Sequence, residues 1–278
     1  NSHKGVSATF TRASVAYLSD GTEVASGQPR FEDGKFGRGV LIEEGTTNLL
    51  TANMSSIETD LTGFVANLVT ITRDSAHALF GSYALKCGWT GVAGDAHIIA
   101  LTFDLQPSTV YTWSAYIYSE SDVYIPSNCF LQEHGGPGRA IAYLSDSVFI
   151  PAEKWTRVKG TGTTPADWIG TSRLVLRPPM DANGNLVTTP IWIDGIQVEQ
   201  KSYATSFIDG TRSPERLTIP TAGVLNPQEG TISLWVKPPK VISSVENCLW
   251  ATSGTQRFDI WWTRNNRIGM VIGSIFIY

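Results

Sequence analysis

The sequence predicts an all-β protein made of antiparallel sandwiches, and three observations predict it. No window of about twelve residues keeps apolar positions at the i, i+3, i+4, i+7 spacing of an amphipathic helix. Alternating or β-branched runs recur instead, at 65–72, 96–105, 110–118, 140–144, 173–176, 191–199 and 230–236. Turn-forming clusters separate them, such as Trp89-Thr90-Gly91, Gly135-Gly136-Pro137-Gly138 and Asp181-Ala182-Asn183-Gly184-Asn185. Short strands punctuated in this way bury their apolar faces by packing sheet on sheet.

Composition narrows the class. The 278 residues are enough for one large or two modest domains that need no metal or disulfide staple. Charged residues make up 17%, below the roughly 25% of an ordinary soluble domain, and aromatics and glycines take their place. A net charge of -4 with no run of Lys or Arg excludes the basic face that displaces counterions from phosphate, so nucleic acid is not an expected partner. No apolar stretch approaches the roughly 18 to 20 residues of a membrane helix, and Asn1-Ser2-His3-Lys4 has no signal-peptide core. No membrane partner is expected either. Cys87, Cys129 and Cys248 are odd in number and far apart, fitting neither a zinc spacing nor a disulfide framework. They read as buried free thiols. The chain starts without Met and stops inside the apolar run Ile275-Phe276-Ile277-Tyr278, so it reads as a piece of something longer.

Taken in order, residues 1–47 are rich in Gly and polar side chains and read as extended chain and hairpins, with a tight turn at Ser19-Asp20-Gly21-Thr22. Such a segment cannot bury a core alone, and it is expected to pack on a neighbour or another subunit. Residues 48–200 carry most of the strand signals. Residues 201–229 read as a linker around Arg212-Ser213-Pro214, and 230–278 as the incomplete start of a second sandwich, opening at Gly230-Thr231-Ile232-Ser233-Leu234-Trp235-Val236.

The middle section resembles carbohydrate-binding modules of the family 4 and 9 type. Five segments occur in that family's order: Asn48-Leu49-Leu50; Gly81-Ser82-Tyr83-Ala84-Leu85-Lys86; Leu105-Gln106-Pro107 leading into Tyr111-Thr112-Trp113-Ser114-Ala115-Tyr116; Trp155-Thr156-Arg157-Val158-Lys159-Gly160-Thr161; and Ile191-Trp192-Ile193-Asp194-Gly195-Ile196-Gln197-Val198-Glu199. This resemblance implies a galactose-binding-like jelly roll. The flanks, with Phe10-Thr11-Arg12-Ala13-Ser14-Val15-Ala16, Gly39-Val40-Leu41-Ile42-Glu43 and Ala204-Thr205-Ser206-Phe207-Ile208, resemble phage tail and neck proteins. The 230–236 run resembles the opening strand of a concanavalin or laminin-G-like lectin sandwich.

Candidate site residues follow from alternation and from the resemblance. In 110–118, Tyr111, Trp113, Ala115 and Ile117 share a face that should meet the core. Thr112, Ser114, Tyr116 and Tyr118 share the other, where rings and hydroxyls supply what a sugar needs; a second packed layer is the alternative. Trp89 and Trp168 adjoin glycines in expected loops and are either ligand platforms or caps on the sandwich ends. Trp155 and Trp192 are expected in the core. Asp194 holds the first of two positions where the family has Asp-Asp, and the second is Gly195 here. The resemblance implies a structural calcium there; the alternative is an acceptor of backbone hydrogen bonds.

No catalytic residues are expected. Glu133-His134 lacks the second His at i+4 of a metal helix and reads as a turn cap; there is no G-x-S-x-G and no phosphate-loop lysine. The resemblances therefore imply a non-enzymatic adhesion component of a phage tail or virion, extracellular or virion-borne. Its expected partners are cell-surface polysaccharide and further copies of itself, a trimer favoured, or other virion proteins. A spacer without sugar binding and an accessory module of a secreted polysaccharide-degrading enzyme are the rivals.

Overall fold

The computed structural model describes residues 7–34, 37–92, 96–218, 247–251, 258–262, 268–272 and 275–277, with only the backbone described for 101, 102 and, Ile260 apart, every residue beyond 246. The chain forms two compact units, 1–220 and 221–278. Residues 1–47, expected to pack on a neighbour, and most of the segment read as a linker lie in the same unit as the middle section.

Unit 1 opens with short strands: β1 (Thr9–Thr11), β2 (Ala16–Tyr17), β3 (Glu23–Val24), β4 (Arg30–Gly34), β5 (Gly37–Leu41) and β6 (Thr46–Thr47). A single helical turn follows, α1 (Ala52–Ser56), which Thr51 caps by accepting the Met54 N–H at 3.3 Å. It lays Met54 and Ile57 on the main core. The sandwich strands are β7 (Phe64–Asn67), β8 (Val69–Asp74), β9 (Ala84–Trp89), β10 (His97–Asp104), β11 (Val110–Tyr118), β12 (Val123–Ile125), β13 (Phe130–Glu133), β14 (Ala140–Ile141), β15 (Val148–Ile150), β16 (Thr156–Thr163), β17 (Thr171–Leu176) and β18 (Ile191–Glu199). Unit 1 closes with β19 (Thr211–Arg212) and β20 (Arg216–Thr218).

Two five-stranded antiparallel sheets, ordered β14-β13-β17-β10-β7 and β16-β11-β18-β9-β8, face each other as a jelly-roll sandwich. Their inward side chains form the main core: Ile98, Ala100, Leu131, Leu174 and Leu176 from the first sheet, and Leu85, Cys87, Tyr111, Trp113, Ala115, Ile117, Ile191, Ile193, Ile196 and Val198 from the second. The predicted inward face of 110–118 is the observed one. Each large apolar side chain buried here contributes roughly 1.5–3 kcal/mol.

Two expected strands differ in the structure. The run 65–72 is two strands in different sheets, because Leu68 takes a left-handed conformation at φ 56° and carries the chain from one layer to the other. The run 140–144 keeps only Ala140–Ile141, ending at Ala142 with φ 55°. There the Trp113 Nε1 donates to the Ala142 carbonyl at 2.6 Å. Gly160 is what admits this contact: a Cβ at 160 would lie 2.0 Å from that carbonyl oxygen and 2.6 Å from Trp113 Nε1. The Gly of the W-x-x-V-x-G-T segment is thus a packing requirement.

The flanks complete the unit by covering the outer face of the β11 sheet. β1 pairs with β20 and β6 with β19, so the first and last segments of the unit are stitched together. Phe80, Tyr116 and Phe207 form a second buried cluster, with Tyr17, Leu79 and Trp155 packed against it. Above it lies a buried charge network in which Arg12, Arg30 and Arg212 meet Glu43 and Glu215. Glu199 accepts from Gln197, Thr205 and Thr46 on the same face.

In unit 2 the described strands form an antiparallel meander, β21 (Asn247–Ala251), β22 (Phe258–Trp262), β23 (Ile268–Ile272) and β24 (Ile275–Ile277). The expected opening strand at 230–236 and the Cys248 side chain lie outside the described residues. Cys87 and Cys129 are free and fully buried, and burial pushes both thiols up, Cys129 to about 12. Among the described residues no helix is long and apolar enough to cross a membrane.

Candidate functional site

On the outer face of the β11 sheet, register places side chains in rows that run across the strands. One row joins Thr161, Thr112 and Glu199, the next Lys159, Ser114 and Gln197, and the next Arg157, Tyr116 and Asp194. Thr112, Ser114, Gln197, Glu199 and Asp194 are fully enclosed by the flanks, and Tyr116 keeps only 7% of its surface. Tyr116 therefore does not line an open groove; Phe80 stands edge-on to its ring, 5.1 Å away.

The last row is covered only in part. Tyr118 lies opposite Trp192, Trp192 opposite Lys86, and Lys86 opposite Thr72. Trp155, one residue before β16, extends the row on the other side of Tyr118, with ring centroids 5.5 Å apart. Tyr118 and Trp155 are half-buried and Thr72 is exposed, whereas Trp192 is buried at 3% exposure beneath His77 and Lys86. His77 stacks on Tyr118 at 4.4 Å and stands edge-on to Trp192 at 4.5 Å. Lys86 rests over the Trp192 ring at 4.9 Å and pairs with Asp74 at 3.5 Å, while His77 Nε2 lies 3.5 Å from Glu120. Rings flanked by hydrogen-bonding groups of both kinds offer a sugar its apolar C–H face and its hydroxyl partners at once.

Of the sequence-predicted residues, then, only Tyr118 stands in this row. Trp89 continues the inward alternation of Leu85 and Cys87 along β9 and sits in the main core at 5% exposure, so it is no platform. Trp168 is buried in the same core, where its Nε1 donates to Ser172 Oγ at 3.0 Å; it caps the sandwich end. Trp155 and Trp192 are expected in the core: Trp192 is buried at 3% exposure and Trp155 packs on the Phe80–Tyr116–Phe207 cluster, both on the outer side of the β11 sheet rather than between the two sheets. The signal for Trp192 was present in the sequence, since Ile191 and Ile193 point inward and their neighbour must point out.

Asp194 does not fit the calcium implied by the resemblance. Its Oδ2 accepts the N–H groups of Leu79 and Phe80, each at 2.8 Å, and its Oδ1 accepts that of Gly195 at 2.6 Å. Hydrogen donors point where a calcium ion needs oxygens. Gly195 has φ 55°, and a Cβ there would meet the Phe80 ring at 2.5 Å, so a second carboxylate cannot be housed at that position without displacing the ring. Among the described residues no group of three or more His, Cys, Asp or Glu could hold a metal. Burial pushes the Asp194 carboxyl up to about 7, against the pull of the three amides.

Glu133 is buried and takes both its oxygens' bonds from Arg139, plus the Ile169 N–H at 2.9 Å, which hold it below the usual carboxylate range. The carboxylate thus ties its own hairpin to the 165–170 loop through Arg139 and Ile169 rather than capping the Gly135–Gly138 turn expected for it. A cavity of about 500 Å³ opens where the flank meets the sandwich edge, with Gly45, Thr47, Gln200, Lys201, Thr211 and Ser213 among its walls.

No protein-family model matches the chain, and no curated protein matches it. Among solved structures, it is similar to the CBM22-1 xylan-binding domain of Paenibacillus barcinonensis Xyn10C, with TM-score 0.42 and 15% identity over 58% of this chain and 99% of that one. It is also similar to the C-terminal family 22 carbohydrate-binding module of Clostridium thermocellum Xyn10B, with TM-score 0.40 and 15% identity over 54% and 94%. A Stig cyclase, Fisc from Fischerella sp. TAU, has TM-score 0.41 and 12% identity over 57% and 100%. A fold does not fix a function, which has to be argued from the site.

Proposed function

We propose that this protein is a non-catalytic carbohydrate-binding component and that the half-exposed rings of Trp155 and Tyr118 are where the glycan lies. The carrying observation is that the chain's own flanks bury Thr112, Ser114, Tyr116, Gln197 and Glu199 on this face and leave Tyr118 and Trp155 half-exposed at its end. The ligand is a surface polysaccharide, and the carrier is a phage tail or virion, with a secreted polysaccharide-degrading enzyme as the alternative carrier. A single site of this kind holds sugar at roughly mM to µM, about -4 to -8 kcal/mol. A trimeric or otherwise repeated carrier raises avidity by roughly 10² to 10⁴ when the sites engage together.

Affinity electrophoresis against xylan, β-glucans, mannans and bacterial envelope polysaccharides tests the proposal. Retardation by at least one glycan is expected, and its loss in a Tyr118→Ala/Trp155→Ala variant that keeps the wild-type circular dichroism. Failure of every glycan to retard the protein, or undiminished binding by the double variant, rejects it.

One observation favours a spacer role as a second reading. The outer face of the other sheet carries the cross-strand row Phe130–Val175–Ile99–Val65, in which Phe130, Val175 and Ile99 are buried while Val65 at one end is 44% exposed and Tyr143, beside Phe130 at the other, is 48% exposed. An apolar row of this kind suits contact with a neighbouring subunit. Val65→Glu and Tyr143→Glu variants that lose assembly yet keep glycan binding would separate the two roles.

A further inference from the structure

We propose that the side chains of Thr205 and Gln197 join in an ester bond that the folded chain makes by itself, with Glu199 moving the proton. The proposal is independent of the carbohydrate-binding reading above.

Local structure brings the three groups together in the interior. Ile196 and Val198 point into the main core, so Gln197 and Glu199 share the outer side of β18. The chain turns directly after the strand, where the Lys201 N–H returns to the Glu199 carbonyl at 2.9 Å, and Thr205 comes back over the pair. Gln197 and Glu199 are 0% exposed and Thr205 is 1% exposed, so water is kept from the reacting atoms.

Each part that an acyl transfer needs is in place. Thr205 Oγ1, the nucleophile, donates to Glu199 Oε2 at 2.9 Å, within reach of a general base. Gln197 Nε2, the leaving nitrogen, lies 3.4 Å from that hydroxyl and donates to Glu199 Oε1 at 2.7 Å. The two oxygens of one carboxylate therefore touch the nucleophile and the leaving group. Gln197 Oε1 accepts the Ile208 N–H at 2.9 Å, which sets a donor where negative charge develops.

The hydroxyl approaches from the nitrogen side, so the Gln197 carboxamide first tilts to turn its carbon toward Thr205. Glu199 Oε2 takes the hydroxyl proton as Oγ1 bonds to Cδ, and the tetrahedral oxyanion rests on the Ile208 N–H. Glu199 then passes the proton to Nε2, the Cδ–Nε2 bond breaks, and ammonia leaves with the electron pair. Nothing is oxidised or reduced, and the escape of ammonia draws the reaction forward. The product closes residues 197–205 into a covalent ring and fixes the segment that leads to Phe207 against the end of β18.

Mass spectrometry of the full chain, incubated overnight at neutral and at mildly alkaline pH, tests this. The folded chain is expected to be lighter than its sequence by one ammonia. Lys201 lies between the two residues, so trypsin parts Gln197 from Thr205 unless they are joined. A linked pair of peptides is expected, and hydroxylamine should split it. Thr205→Ser should keep the link, whereas Thr205→Val and Glu199→Gln should lose it. A wild-type chain of full sequence mass, with peptides that separate at Lys201, overturns the proposal whatever the variants do. So does a link from Gln197 to Thr46, the other hydroxyl on Glu199 Oε2, or a link that survives in Thr205→Val.

Discussion

Arg30 and Glu215, 185 residues apart, meet in a two-bond clamp: Nε donates to Oε1 at 2.9 Å and Nη2 to Oε2 at 2.8 Å, with neither side chain exposed. Glu215 also takes a bond from Arg12 at 2.9 Å and one from the Glu43 N–H at 2.8 Å. One carboxylate of the C-terminal flank therefore holds three separate stretches of the N-terminal flank together. Removing it leaves two guanidinium groups buried without their partner. Glu215→Ala should lower unfolding free energy by about 3–5 kcal/mol, read from the midpoint of urea denaturation. A change within 1 kcal/mol would mean that water or Glu43 substitutes for it.

The flank is predicted to be part of the folding unit rather than an appendage. A chain lacking 1–47 uncovers Tyr116, Phe80 and the buried Gln197 and Glu199, whose enclosure depends on it. Such a truncation should bind the dye ANS and lose its cooperative thermal transition. A truncated chain that melts sharply, near the full-length midpoint, would contradict the role given to the flank.

Asp194 should impose a pH slope on stability. Its carboxyl is pushed up to about 7 from an ordinary 3.8, chiefly by burial. Between those values the folded state holds a proton that the unfolded chain has released. This contribution is therefore fully present at low pH and is lost as pH rises through about 7. Asp194→Asn should flatten the fall in stability between about pH 4 and 7, at a cost of roughly 1–3 kcal/mol because its amide faces N–H donors. Denaturation midpoints measured across that range in both proteins test this. Parallel curves would show that Asp194 titrates at its ordinary value in the fold.

Gly160→Ala should destabilise the core from outside it. The new methyl has no space beside the Ala142 carbonyl and breaks the Trp113 indole bond. A loss of roughly 1–3 kcal/mol is expected, with altered Trp fluorescence. An unchanged melting temperature would mean that the 142–143 turn yields freely.

Much of the fold could be read from residue alternation. The inward set Tyr111, Trp113, Ala115 and Ile117 follows from period two alone, and the order of motifs anticipated the strands that carry them. The misplacements share a physical cause. Trp89 was assigned to a turn because Gly88 and Gly91 flank it, yet Leu85, Cys87 and Trp89 keep the inward phase to the strand's end. Leu68 hides a layer crossing, since nothing in a run of strand-forming residues marks a leucine with positive φ. The half-exposed position of Tyr118 is not legible in the sequence because Tyr116 and Tyr118 share a face there; the tertiary cover supplied by Phe80 and Phe207 to Tyr116 distinguishes them.

The pairing of β1 with β20 has a mechanical consequence. Thr9 lies opposite Thr218, so the chain enters and leaves unit 1 side by side and in opposite directions. Tension applied across these two points peels that ladder open one rung at a time, as a zip opens. The load reaches the Arg30–Glu215 lock only after the rungs are spent, so a pull on these two points would meet a soft first yield and then a firm stop.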